Sequence, residues 1–70
     1  MNQAEKIAKA LGEYEGRMEI IKRASDFIFA RIPCNAAGEA DADAILELNA
    51  WCERERERAT KRMVQLIKEA

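Results

Sequence analysis

Apolar residues recur at helical spacing along the first half of the chain. Ala4, Ile7, Leu11, Tyr14, Met18, Ile21, Ser25, Ile28 and Ile32 follow one another at steps of three and four. That rhythm puts them on one stripe of a single α-helix over about residues 3–32. Pro33 cannot continue the helix and biases Ile32 away from the α region. Cys34, Asn35, Ala36, Ala37 and Gly38 then read as a loop, within a connector of about residues 33–40. Glu39, Asp41 and Asp43 cluster where negative charge suits a helix start. Asp41 is the expected N-cap, with Asn35 as a cap for an earlier start. A second helix follows over about 41–69. Two helices of about 45 Å joined by a short connector predict an antiparallel hairpin.

The hairpin has a consistent register. Setting Ile21 against Cys52 also sets Ile28 on Ile45, Ser25 on Leu48, Tyr14 on Ala59 and Ile7 on Leu66. Glu55 and Arg62 interrupt the stripe opposite Met18 and Leu11, where their stems can lie on the seam and their charges reach water. The same register sets Glu15 against Arg58 and Glu19 against Arg54. Exposed pairs of this kind contribute about 0–1 kcal/mol and tune the register only. Gly12 and Gly16 each cost roughly 1 kcal/mol relative to alanine in a helix interior. They mark either a break or, with Ala8, a stripe of small residues open to another helix. Because the seam keeps phase through them, a continuous helix is expected.

A second apolar face remains. Ile20, Ala24 and Phe27 lie off the main stripe, and the register sets Leu46, Met63 and Ile67 on the same flank. Ordering all 70 residues costs on the order of 100 kcal/mol at about 1.5 kcal/mol each. One hairpin seam is a small return on that. These six residues are therefore the predicted interface of a homodimer, a four-helix bundle of two coiled-coil-like hairpins. The fold class is all-α, and residues 1–70 form a single domain.

Composition narrows the function classes. Lys plus Arg is 12, Asp plus Glu is 13, and the net charge is −1. A balance this even suits neither an acidic nucleic-acid mimic nor a strongly basic nucleic-acid binder. There is no histidine, so the usual general base is missing. No glycine-rich phosphate loop or di-metal carboxylate motif occurs. The expectation is a protein that is not an enzyme, with no catalytic residue, no metal site and no cofactor. No apolar run approaches the roughly 20 residues that cross a bilayer, and Met1–Ala10 lacks a signal-peptide core. Two cysteines are too few for a disulfide scaffold. Cys52 reads as a seam residue and Cys34 as a loop thiol. A cytoplasmic location is expected.

Two clusters are candidate binding features. Arg17 and Arg56 meet in the register, and two facing guanidiniums call for an anion or carboxylate between them, such as Glu13 or Glu53 of the same or a partner chain. Trp51 lies at the edge of the seam, opposite Lys22, with Phe29 on the same flank. Trp51, Phe29, Arg54 and Arg58 have the composition of a protein-binding hot spot. From Glu53 to Arg58 acidic and basic residues alternate, a pattern common on solvated helix faces. Arg54, Arg58, Lys61 and Arg62 gather on one basic stripe. Hairpin length and the acidic start of the second helix resemble the architecture of Rop-like helical-hairpin dimers. That resemblance implies nucleic-acid binding through the stripe. A purely structural role as a bundle subunit in a larger assembly is a separate alternative. The main expectation is a small accessory or regulatory protein that binds another protein through a helical surface. Abundant arginine and alanine fit a bacterial or phage source, where an inhibitor of a host protein is one such role.

Overall fold

Asn2 opens the first helix. Its side-chain Oδ1 accepts from the backbone N–H of Glu5 at 2.8 Å, which satisfies one of the free donors of the first turn. The computed structural model describes residues 2–70. Helix α1 runs Gln3–Phe29 and helix α2 runs Ala42–Glu69. They pack antiparallel along their length, and no strand occurs among the described residues. The result is an all-α helical hairpin with extents of 58 × 15 × 8 Å.

Helix α1 passes unbroken through Gly12 and Gly16. It stops three residues short of the expected Ile32. Arg31 and Ile32 instead donate to Ile28 and Phe29 at 3.0 and 3.2 Å, the tighter i,i+3 pattern that often closes a helix. Arg31 also folds back. Its Nη1 donates to the Phe27 carbonyl at 2.9 Å, and its guanidinium carbon lies 3.3 Å from the Phe27 ring centroid. One side chain thus supplies both a C-terminal cap and a cation–π contact.

Asn35 organises the connector rather than capping a helix. Its side-chain oxygen accepts from Ala37 N and Glu39 N at 2.9 and 3.0 Å. Its backbone N–H donates to Glu39 O at 2.8 Å, and its carbonyl accepts from Gly38 N at 3.0 Å. Gly38 takes φ +81, a conformation that costs glycine little. Asp41 N donates to Pro33 O at 3.0 Å, and Cys34 and Ala40 form an isolated antiparallel bridge. Asp41 is the N-cap of α2, as expected, and its carboxylate accepts from Asp43 N and Ala44 N.

The seam is narrow. Its buried residues are Ala10, Ile21, Leu48, Cys52 and Ala59. Ile21, Leu48 and Cys52 form one cluster, with Met18, Ile32 and Trp51 packed against it. That is the register expected at the centre. Toward the N-terminus the seam departs from the expected stripe, because Ala10 is 2% exposed while Leu11 is 44% exposed. The stripe repeats every seven residues, whereas a straight helix turns about 100° per residue and so drifts about 20° per heptad. Going back from Ile21, that drift brings Ala10 to within about 20° of the seam and moves Leu11 about 80° off it.

Candidate functional site

The hairpin has two open flanks, and their contents differ from the expected grouping. On one flank a groove is lined by Arg17, Ile20, Ile21, Trp51 and Glu55. It continues toward the connector past Ile28, Ile32, Ala44 and Glu47. On the other, Tyr14, Glu15, Met18, Glu19 and Lys22 line a groove with Arg56. Helical phase adds Leu11, Phe29, Leu46, Glu53 and Val64 to this second flank.

This division corrects several expected juxtapositions. Arg17 and Arg56 stand on opposite flanks and share no anion. Lys22 is across the hairpin from Trp51, and so is Phe29. Of the six residues expected to form one dimer face, Ile20, Ala24 and Phe27 lie on the Trp51 flank, whereas Leu46, Met63 and Ile67 lean toward the other. The cause is geometric. In two antiparallel right-handed helices, residues displaced in the same rotational sense from the seam share a flank. A register that equates heights pairs each displaced residue with one displaced in the opposite sense. It therefore holds on the seam itself and assigns the wrong flank away from it.

Charge pairing follows the corrected geometry. Glu13 Oε1 lies 3.5 Å from Arg17 Nε and 3.7 Å from Arg62 Nε. The second of these is, among the described residues, the ion pair between the helices. Arg62 therefore meets Glu13 rather than Leu11. Glu19 pairs with Arg23, Glu55 with Arg58, and Glu57 with Lys61, so the expected pairs Glu15–Arg58 and Glu19–Arg54 do not form. Much of the basic stripe is occupied by carboxylates in this way, while Arg54 has no ion-pair partner among the described residues. Glu15, Lys22, Glu53 and Arg56 also have none, and all four lie on the second flank. Charge patterning alone did not single them out. The missing signal is their helical phase.

Exposed large apolar side chains occur on both flanks. Ile20 is 67% exposed beside half-buried Trp51, and Leu46 is 65% and Phe29 58% exposed on the opposite flank. Cys34 is exposed in the connector and Cys52 is buried in the seam; both are free thiols. No described helix is long and apolar enough to cross a membrane. What the arrangement defines is a thin helical hairpin with exposed apolar side chains on both flanks. Comparison with family models, curated proteins and solved structures finds no match to this chain.

Proposed function

We propose that this chain is a non-enzymatic binding protein, homodimeric through one flank, that engages another protein through the flank of Trp51 and Ile20. The observation that carries the reading is the groove in which Ile20 stands exposed beside half-buried Trp51, with Arg17 and Glu55 at its margins. An apolar floor with charged edges and an aromatic anchor suits an amphipathic helix of a different protein. Regulation follows from such contact, since a partner helix held in this groove is withheld from whatever else it binds. Nucleic-acid binding is the weaker reading, because Arg58, Lys61 and Arg62 each have a carboxylate within 4 Å.

The test is affinity capture with the wild-type hairpin and with Ile20→Asp, followed by direct binding of the captured protein in purified form. Ile20 is exposed, so the variant keeps its helical circular dichroism. A partner bound by the wild type and released by Ile20→Asp supports the reading. Equal binding by both removes the Trp51 flank from consideration.

A further inference from the structure

The Trp51 flank is not uniform along the rod. Its connector half carries the apolar surface: Ile20, Phe27 and Ile28 are 67%, 58% and 42% exposed, beside half-buried Trp51. Its terminal half is charged, with Lys6, Lys9, Glu13, Arg62 and Glu69 around a separate depression. The apolar stretch runs from Ile20 to Ile32, about 18 Å at 1.5 Å per residue. Across the 15 Å width of the hairpin that is on the order of 300 Å². A second copy needs roughly 800 Å² from each partner, and reaches it here only by covering the charged terminal half as well. A single helix of three to four turns matches the apolar stretch alone.

Charge adds a direction. The charged residues lining this stretch are Arg17 from α1 and Glu47 and Glu55 from α2. Arg31 adds a second cation on the α1 side, because its guanidinium lies over the ring of Phe27. Glu13, which pairs with Arg17, lines the terminal depression. Arg58 pairs with Glu55 from the terminal side, and Arg54 lies further round α2; neither lines the stretch. The rim is therefore cationic along α1 and anionic along α2.

We infer that this stretch holds one short amphipathic helix of a partner protein, three to four turns long, with an acidic edge along α1 and a basic edge along α2. The inference rests on the reading above that the Trp51 flank binds another protein, and it adds the partner's length, charge and direction. Apolar anchors at helical spacing on the partner fill the groove beside Ile20, Trp51 and Ile28. The two edges of a helix are fixed relative to its N- and C-termini, so turning it end for end exchanges them. Only one direction along the rod then matches both rims.

The probes are two synthetic stapled helices of about 14 residues with the same leucine stripe. One carries glutamates on its left edge and lysines on its right, and the other has the edges exchanged. Each bears a nitroxide at its N-terminus. A fluorophore on exposed Cys34 marks the connector end of the groove, and Trp51, the only tryptophan, reports binding by its own emission. Both peptides are expected to bind with similar affinity and in opposite directions. One direction is favoured about tenfold in each case, so only one peptide quenches the Cys34 fluorophore strongly. The contrast should shrink in about 1 M salt. Equal quenching by the two peptides overturns the assignment of the rims. Failure of both to bind at about 1 mM, while a captured protein still depends on Ile20, overturns the short helix and leaves the reading above standing. If Ile20→Asp instead dissociates the hairpin dimer in sedimentation, a second copy covers this flank and both readings fall.

Discussion

Replacing Gly12 and Gly16 by alanine should stabilise the hairpin, and the size of the gain can be worked from the structure. Both residues are interior to α1. A Cβ added at either meets nothing within 4 Å. There is no overlap to relieve and no cavity to fill, so the change acts on the backbone alone. Alanine removes conformational freedom from the unfolded chain and exposes less helical backbone to water. Each substitution is worth about 0.5–1 kcal/mol, and the pair about 1–2 kcal/mol if they act independently. For a domain of this size, 1 kcal/mol moves the melting temperature by about 4–8 °C, so the double variant should melt roughly 5–15 °C higher. Circular dichroism at 222 nm follows the transition. It should be repeated at several protein concentrations, because association contributes to the apparent stability. The two glycines lie on the back of α1, away from α2 and off both grooved flanks. The gain should therefore be the same at every concentration. A fall in melting temperature would mean that another helix approaches α1 closely over Ala8, Gly12 and Gly16. A gain that vanishes as the protein is concentrated would place the dimer contact on this face instead.

Other outcomes follow from particular contacts. Asn35→Ala removes the acceptor for two connector N–H groups and should cost about 1–2 kcal/mol in urea unfolding; no change would show that the connector is held by its backbone bonds alone. Ala59→Leu forces bulk into a position 2% exposed on the seam and should destabilise the hairpin by about 1–3 kcal/mol, whereas Thr60→Leu beside it should be tolerated. Cys34 should react with a thiol reagent within the mixing time of a native assay and Cys52 only on unfolding; equal rates would contradict the buried seam.

The hairpin was legible in the sequence because its signals are local. Pro33 and the Asp41 cap fix the ends of the connector, and the stripe through Ile21 and Cys52 fixes the seam. The end of α1 was not legible, because Arg31 bonds back to Phe27 in a way that no residue spacing announces. Neither is the role of Asn35, whose side chain and backbone together hold the connector through bonds that composition does not reveal. The apolar stripe points to Leu11 rather than Ala10 because a seven-residue repeat and the true helical pitch diverge with distance. The flanks are not legible from matched heights for a different reason. Height along the rod is a property of sequence separation, but which side a residue takes depends on the handedness of both helices at once. Arg17 and Arg56, or Trp51 and Phe29, match in height and not in side.

The connector and the termini close the hairpin very unequally. At one end the Asn35 bonds, the Pro33–Asp41 bond and the Cys34–Ala40 bridge join the strokes of the chain. Toward the other, Glu13–Arg62 at 3.7 Å is the last ion pair holding the rods together. Fraying of such a molecule is expected to begin at one end. Its free ends should open before the bend does, and amide hydrogen exchange faster near the termini than beside the connector would show it.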